Sequence, residues 1–359
     1  MIEAMTPKER RQALLLGQEL DRLPIEFTHN SIVSKLNGQN YLQGQASADS
    51  IADQEIALYQ RYCYDHLNVD YGLNGLGRAL GSRLLDFPDS APAVDHYACA
   101  SIDEVLGLTF SKAEIAKDPN LFKLYQACQK MVKVLGPGAI IQFEIPGPLT
   151  ALTSLMEAEY VLRALRRQPD QIHQALRIIT DLFKKMIEPF AELGVYFWIS
   201  DPVASTSLIS PKQFKLFCQP YLTDLVAHMH ACQSSVILHI CGNTVKILDD
   251  IISIGVDIFS LDEIVNLSLA KDHIGHSVCL LGNVAPVKTI YQGTPSDIRE
   301  EVDDCFTKAW DSSKGFIIGP GCGIPYATSE KNIEAYLSAC LAGVTSYAKK
   351  RNRILNSVK

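Results

Sequence analysis

SVILHI, residues Ser235–Ile240, is a short apolar run, and CGN, residues Cys241–Asn243, follows it directly. Behind these residues the apolar spacing becomes helical over Thr244–Ile254. A short apolar run that ends at Gly and Asn is typical of a buried strand, and a longer amphipathic segment is typical of a helix. The stretch therefore predicts one strand–loop–helix unit of an α/β protein.

Units of the same kind recur from about residue 24 onwards. The candidate strands are Pro24–Thr28, Val69–Leu73, Ala139–Glu144, Val195–Ser200, Ser235–Ile240, Asp257–Leu261, Val278–Leu281 and Gly315–Gly319. The candidate helices are Ser50–Asp65, Gly147–Met156, Pro169–Leu193, Pro211–Cys232, Thr244–Ile254, Leu267–Ile274, Ser296–Trp310 and Glu330–Lys350. Eight such units predict a parallel (β/α)8 barrel, or TIM barrel.

Two segments lie outside this repeat. Residues 1–23 predict an N-terminal helical extension, and residues 81–97 predict a hairpin inserted after the second strand. No linker rich in Pro or Ser divides the chain, so we expect a single domain over residues 1–359.

Composition narrows the function classes. The chain has 359 residues, 47% of them apolar, which is ample for a buried core. The net charge of −7 argues against a nucleic-acid or anionic-membrane partner. No apolar run reaches the roughly 18–20 residues that cross a bilayer, and residues 1–24 are too charged for a signal peptide. We therefore expect a cytoplasmic protein, and a homo-oligomer stays an open alternative.

The predicted strands end in polar residues beside Gly or Pro. Catalytic groups of a parallel barrel lie at these carboxyl ends, so each end is a candidate site. Candidate catalytic residues are Asp201, Glu263 and Glu144, and candidate cofactor-binding residues are Asn243 and Asn283. For the carboxylates the alternative role is to cap the helix that follows.

The most specific pattern is His239-x-Cys241. Residues i and i+2 of a strand point to the same face, so the two side chains converge. Cys322 follows the last predicted strand, which faces the fifth across the mouth of a closed barrel. One His and two Cys form a three-ligand Zn²⁺ set with an open fourth position. The alternative is a core histidine with two inert cysteines.

The other cysteines are predicted to be reduced packing residues, because a cytosolic chain rarely forms disulfides. They are Cys63, Cys99, Cys128, Cys218, Cys232, Cys279, Cys305 and Cys340.

Several of these motifs resemble a known family. The runs 200–205, 238–244, 281–287, 292–295 and 319–325 are similar to the methylcobamide:coenzyme M methyltransferase branch of the uroporphyrinogen decarboxylase superfamily. The resemblance implies a (β/α)8 barrel in which His239, Cys241 and Cys322 bind zinc. It also implies a zinc-dependent methyltransferase that moves a methyl group from a methylated corrinoid to a thiol such as coenzyme M.

The metal-free decarboxylases of that superfamily bind a polycarboxylate through an Arg-containing motif near the N-terminus. The corresponding stretch, Ile25–Ser50, has no Arg and only Lys35 as a base. Unpaired buried carboxylates are costly, so the sequence argues against decarboxylation.

The chain lacks the Asp-x-His-x-x-Gly signature of corrinoid-binding domains. We therefore expect a separate corrinoid protein to supply the methylcobamide. Two alternatives stay open. One is transfer in the opposite sense, from a methoxy compound or methylamine to the corrinoid. The other is a non-catalytic partner of the corrinoid protein.

Overall fold

The computed structural model describes residues 4–28, 31–108 and 118–358. Its main sheet has seven parallel strands in the order β1-β4-β5-β6-β7-β8-β9. The strands, including an antiparallel pair formed by β2 and β3, are β1 Leu67–Asp70, β2 Arg83–Leu85, β3 Ala93–His96, β4 Ile141–Pro146, β5 Tyr196–Ser200, β6 Val236–Ile240, β7 Ile258–Leu261, β8 Cys279–Val284 and β9 Phe316–Pro320.

The helices lie largely between these strands. They are α1 Pro7–Leu15, α2 Ile32–Leu36, α3 Tyr41–Gly44, α4 Ala48–Tyr62, α5 Gly75–Ala79, α6 Ile102–Gly107, α7 Pro119–Leu135, α8 Pro148–Leu155, α9 Ala158–Arg167, α10 Pro169–Glu192, α11 Pro211–Phe217, α12 Gln219–Ala231, α13 Leu248–Ile254, α14 Leu267–Ile274, α15 Pro295–Ala309 and α16 Glu330–Val358. No helix in these described ranges combines the length and apolar character that a membrane span requires.

Seven of the eight predicted strands pair in the sheet, and the first does not form a strand. In Pro24–Thr28 only Ile25 forms a bridge, to Ile318 of β9. The Glu26 N–H donates to the Ile318 carbonyl (2.8 Å), and the Asp65 N–H donates to the Ile25 carbonyl (3.1 Å). Pro24 has no N–H to extend the ladder. The Ile318 N–H also donates to the Pro24 carbonyl (3.3 Å), so the segment joins β9 to Asp65, two residues before β1, without forming a strand.

The helix predicted over Pro211–Cys232 is two helices. It breaks at Cys218, which ends α11 and precedes α12. Pro220 lies in the first turn of α12. An N–H at this position would have no partner within the helix, so its absence in proline costs no hydrogen bond. The break at Cys218 thus places Pro220 at the start of a helix, where proline is tolerated.

The core follows from the burial of the parallel strands. Strands β4, β6, β7, β8 and β9 are buried along their whole length, as expected for a sheet covered on both faces. At the amino ends of the strands lies a set of buried charges that we call the amino-end cluster: Arg10, Arg22 and Asp65. Asp65 accepts hydrogen bonds from both arginines and from the Ile25 N–H.

Candidate metal centre and its cavity

His239 and Cys241 come from the carboxyl end of β6. His239 is the fourth residue of the strand, and Cys241 follows its last residue. Gly242 then turns the chain with φ +82°, a conformation that favours glycine. A Cβ at Gly242 would lie 2.6 Å from the Ser205 hydroxyl, so the turn also needs a residue without a side chain.

Cys322 reaches the same place from β9. The Gly321 N–H donates to the Val284 carbonyl (2.8 Å), which holds this loop against the end of β8. A Cβ on Gly321 would lie 2.5 Å from the Glu263 nitrogen, so glycine allows the two loops to touch. The resulting position of Cys322 lies beside both Cys241 and the Glu263 backbone.

We call His239, Cys241 and Cys322 the carboxyl-end cluster. Its ligand atoms all lie within 4.8 Å of one another, with 3.2 Å from His239 Nε2 to Cys241 Sγ and 3.8 Å between the two sulfurs. Across residues 4–28, 31–108 and 118–358, it is the one group of His, Cys, Asp or Glu side chains arranged to hold a metal ion. The donor set suits Zn²⁺.

Ser260 orients the imidazole of His239. Nδ1 lies 3.1 Å from the Ser260 hydroxyl and 3.3 Å from its carbonyl oxygen. A proton on Nδ1 donated to Ser260 leaves the lone pair of Nε2 directed at the sulfurs. Metal-binding histidines are commonly fixed in this way through their second nitrogen.

The cluster has an uneven distribution of protons. A hydrogen bond from Cys241, together with His239, lowers the pKa of Cys322 to about 4. The hydrogen bond to Cys322 and burial raise the pKa of Cys241. Burial lowers the pKa of His239, but contact with the Cys322 thiolate outweighs this, so the pKa rises. A thiolate surrounded by groups that retain protons is a site that favours a cation.

The loop after β7 packs beneath the cluster. Asp262 accepts the Gly242 N–H at 2.6 Å, and Asn283 donates to the carbonyls of Asp262 (3.0 Å) and Val265 (2.8 Å). Asn283 is therefore a buried residue that holds this loop. Next in the loop is Glu263. Burial and the charge of Asp262 raise the pKa of Glu263 to about 7, and its Oε2 has no hydrogen-bond partner within the described residues.

Glu144 ends a chain of hydrogen bonds at the floor of the site. The Trp198 indole donates to the Ser200 hydroxyl (2.9 Å), and that hydroxyl donates to Glu144 Oε1 (2.6 Å). Asn68 donates to Oε2 (3.1 Å). Burial nevertheless raises the pKa of Glu144.

Asp201 is buried and is not among the residues that line the cavity. Its Oδ1 accepts from the Thr150 N–H (3.1 Å) and hydroxyl (2.6 Å), which joins the end of β5 to the first turn of α8. Burial raises the pKa of Asp201 to about 6. A Cβ at Gly147 would lie 2.2 Å from Oδ2, so glycine permits this contact.

Asn243, Lys35 and two of the cysteines complete the residues considered from the sequence. Asn243 is exposed, and its side chain accepts the Val245 N–H (3.1 Å). Lys35 donates to the carbonyls of Tyr326 (2.9 Å) and Thr328 (3.0 Å). Cys63 is exposed and Cys232 half-buried, so these two are not the packing residues predicted. Each lies at the C-terminal end of a helix, where the residue is placed by its backbone and its side chain does not need to pack in the core.

A cavity of about 410 Å³ connects the carboxyl-end cluster to the β2–β3 hairpin. Glu144, Trp198 and Ser200 line it near the cluster. Arg78, Asp86 and Lys123 line it together with hairpin-loop residues Ala91 and Pro92. The Lys123 ammonium donates to the Gln45 carbonyl (2.8 Å), and burial lowers its pKa.

Sequence reasoning did not identify Asp70, Arg78 or Lys123. The second strand was predicted to run to Leu73, whereas it ends at Asp70 before Gly72, whose φ is +83°. Asp70 is therefore itself a strand-end residue. The glycine two positions later was the sequence feature that could have located it. Arg78 and Lys123 come from helices, which strand-end reasoning does not consider.

Comparisons with known proteins identify a family and several similar proteins. The family model described as uroporphyrinogen decarboxylase (URO-D) matches residues 6–342. Methylcobamide:CoM methyltransferase MtaA of Methanosarcina barkeri is 26% identical over 340 residues, covering 93% of this chain and 97% of that protein. Methylated-thiol–coenzyme M methyltransferase of Methanosarcina mazei is 26% identical over 346 residues, covering 95% and 90%.

A solved structure of a methyltransferase from Methanosarcina mazei aligns with a TM-score of 0.84 at 25% identity, covering 94% of this chain and 99% of that one. The resemblance predicted from the motifs is thereby confirmed.

Proposed function

Because the chain belongs to the uroporphyrinogen decarboxylase family, we propose that it is a zinc-dependent methyltransferase within that family. It transfers a methyl group from a methylated corrinoid protein to a small thiol such as coenzyme M, in the cytoplasm. The observation that carries the proposal is the carboxyl-end cluster, which opens into a cavity large enough for a small ligand. Two relatives that act on coenzyme M by name support the substrate class.

The chain's own residues define what the metal would do. When bound by His239, Cys241 and Cys322, Zn²⁺ supplies a Lewis acid that lowers the pKa of an incoming thiol. Two cysteinates and a neutral imidazole balance the charge of the ion, so the sulfur of an added thiolate stays electron-rich. Glu263, whose Oε2 has no partner within the described residues, is proposed as a displaceable fourth ligand.

The other end of the cavity provides cations for an acidic group on the thiol. Lys123 is half-buried and bonded to a carbonyl oxygen, and Arg78 is paired with Asp86 at 3.2 Å. A sulfonate such as that of coenzyme M would gain charge-assisted hydrogen bonds there. The carboxylates Asp70, Asp86 and Glu144 line the same cavity, which disfavours a polycarboxylate substrate of the decarboxylase type.

The corrinoid protein is proposed to dock at the carboxyl ends of the strands. Three large apolar side chains are exposed on loops that follow β5, β7 and β8, namely Leu208, Ile264 and Val287. Apolar residues grouped on one face are typical of protein interaction surfaces. The position lets a partner present its cofactor to the same face as the cavity.

The sheet and Pro24–Thr28 together are proposed to complete a single (β/α)8 barrel domain. The bridge from Ile25 to Ile318 and the bond from Asp65 to Ile25 support this closure. Under this proposal Asp201 is a positioning residue, since its hydrogen bonds hold the β5 end on α8. Asn243 and Asn283 likewise make hydrogen bonds to backbone groups of loops.

A second candidate is methyl transfer in the opposite sense, from a methylated substrate to the corrinoid. The name of the Methanosarcina mazei relative, which includes a methylated thiol, favours it. The two directions share the same metal and cavity and differ in the methyl donor.

One experiment separates them. The zinc-loaded protein is mixed with methylcobalamin and coenzyme M, and the absorbance of methylcobalamin is followed with product analysis. The proposal expects thiol-dependent loss of methylcobalamin and formation of the methyl thioether. No demethylation, but methylation of Co(I) cobalamin by a methylated thiol, methoxy compound or methylamine, would contradict it and support the second candidate.

The acidic-tail subsite has its own test. Lys123→Met should raise the KM for coenzyme M by about 10- to 100-fold, the effect of losing one charge-assisted hydrogen bond, with a smaller change in kcat. Lys130→Met is the matched control, because Lys130 lies on the same helix but pairs with Asp49 and Asp53 at the surface. Equal KM values for the two variants would contradict the subsite.

A further inference from the structure

Asp70 and Glu144 form a carboxyl pair at the cavity floor. They are register partners on the parallel strands β1 and β4. Neighbouring strands lie about 4.8 Å apart, and register partners point to the same face. Both residues line the cavity that contains the carboxyl-end cluster. Two carboxyl groups are thus held side by side by the backbone, next to the candidate metal centre.

The hydrogen bonds around the pair distinguish its two members. Both oxygens of Glu144 accept hydrogen bonds, from Ser200 and from Asn68. Oδ1 of Asp70 accepts the Gly72 N–H at 2.6 Å. Oδ2 of Asp70 has no hydrogen-bond partner in the described ranges. Among the four oxygens it is therefore the one where an added proton competes with no hydrogen-bond donor.

Electrostatics favour the same arrangement. Burial and the charge of Glu144 raise the pKa of Asp70 well above its ordinary range. Burial also raises the pKa of Glu144. Two carboxylates in one poorly solvated site resist double ionisation, so they titrate as a pair.

We propose that Asp70 and Glu144 hold one proton between them at neutral pH, carried on Oδ2 of Asp70, and that this O–H donates a hydrogen bond to the sulfur anion of the acceptor thiol. The identity of that ligand rests on the proposed function. The sharing of the proton rests only on the pair. Asp70 is then a catalytic residue that sequence reasoning did not identify.

The role has a physical rationale. A doubly ionised pair would repel a thiolate in the cavity, whereas a pair with one proton offers it a donor. A carboxylic acid that stays neutral at pH 7 serves as a hydrogen-bond donor in other enzymes.

Other charged or titratable groups face the pair from each side. Tyr41 and Glu55 line a small recess with Asp70 on the helical side. Arg78 and Lys123 line the cavity, and His239 and Cys322 face Glu144 from the sheet.

The shared proton can be tested without any thiol. Infrared difference spectra of zinc-loaded wild type against Asp70→Asn at pH 7 should contain the carbonyl band of a protonated carboxylic acid, shifted in D₂O. Wild type against Glu144→Gln should contain the same band, because the charge of Glu144 is what retains the proton on Asp70. Asp86→Asn is the matched control, since Asp86 lines the cavity but pairs with Arg78. The Asp86→Asn variant should keep the band, so the difference spectrum of wild type against this variant should lack it.

Each outcome decides the proposal. Absence of the band in both differences would overturn it, and so would a band lost in only one variant, which indicates an isolated acid. If one variant fails to fold, the pH titration of the wild-type band replaces it. In that titration the Asp70–Glu144 pair should release one proton as the pH rises above 7.

Thiol binding then tests the role of the proton. Coenzyme M affinity is measured through the thiolate-to-metal absorption of the cobalt-substituted protein as pH rises. The ratio of wild-type to Asp70→Asn affinity should fall by about tenfold per pH unit once the pair loses its proton. A constant ratio would overturn the donor role. Absence of any thiol binding would contradict the proposed function while leaving the infrared result intact.

Discussion

The two ends of the parallel sheet both bury charged side chains, but they satisfy them differently. In the amino-end cluster Asp65 is neutralised by Arg10 and Arg22, and its oxygens also bind the Ile25 N–H. In the carboxyl-end cluster the thiols and imidazole have mainly one another as partners and open into a cavity. The first cluster is closed by protein groups, while the second leaves room for a cation and a ligand.

The difference assigns a stabilising role to the amino-end cluster and the proposed chemistry to the carboxyl-end cluster. A buried ion pair with complete partners positions α1 and the start of β1 without taking part in a reaction. In the carboxyl-end cluster the pKa of Cys322 is lowered to about 4, and a thiolate of this kind suits the proposed metal site. Barrel enzymes commonly divide the two ends of their strands in this way.

The largest expected effect is at the carboxyl end. Cys322→Ala should reduce bound zinc from one per chain to near zero and reduce methyl transfer to the uncatalysed background, because it removes one of three ligands. Metal analysis and the demethylation assay measure both, and circular dichroism should be unchanged. Cys63→Ser is the matched control because Cys63 is exposed and distant from the site. Full zinc content in Cys322→Ala would show that the metal is bound elsewhere.

At the amino end the expected effect is on stability alone. Asp65→Asn leaves the buried Arg22 without a carboxylate and Arg10 with Asp21 alone, and should lower the free energy of unfolding by about 3–5 kcal/mol. Urea denaturation measures this, and zinc per folded chain should stay at one. The surface variant Asp49→Asn removes an exposed pair and should change stability by at most about 1 kcal/mol. Equal losses in the two variants would contradict the distinction between the ends.

Asp201 supplies a pH-dependent prediction. Burial raises its folded-state pKa to about 6 from 3.8, so its protonated form stabilises the fold. That contribution is complete below pH 3.8 and is lost as the pH rises through 6. Asp201→Asn should therefore be more stable than wild type by up to about 3 kcal/mol at pH 8 and equal to it near pH 4.

Urea denaturation at both pH values measures this difference. Methyl transfer by the variant should stay within about tenfold of wild type, since a positioning residue acts through its neighbours. Loss of all activity in a folded variant would instead favour the catalytic role predicted from the sequence.

The smallest effect concerns the orientation of His239. Ser260→Ala removes the hydroxyl partner of Nδ1 but leaves the Ser260 carbonyl, so zinc affinity should fall by about tenfold. Competition with a zinc chelator gives the affinity. Ser253→Ala, on the exposed face of α13, should have no effect. An unchanged affinity in Ser260→Ala would show that the carbonyl alone fixes the ring.

Much of the fold is predictable from the sequence because buried parallel strands are continuous apolar runs. Tyr196–Ser200 and Ile258–Leu261 lie within their predicted ranges. The first strand was wrong because Pro24 and the surrounding contacts permit only a bridge at Ile25. Such a failure depends on the partner strand, and local spacing carries no information about that partner.

The candidate site likewise contains residues that the local sequence predicts and residues that it does not. His239 and Cys241 share a strand face, so their convergence follows from local geometry. Asp70 and Lys123 reach the cavity through the end of a short strand and through a helix, which only the tertiary structure places together. Glu144 was a candidate from the end of its predicted strand, but its pairing with Asp70 depends on the register of β1 and β4, which the sequence does not reveal.

X-ray absorption at the zinc edge, before and after addition of coenzyme M, tests the central claim most directly. We expect two sulfur ligands at about 2.3 Å with nitrogen or oxygen ligands in the resting protein, and three sulfur ligands after addition of the thiol. A site with unchanged ligands after coenzyme M is added would be closed and structural, and would contradict the account.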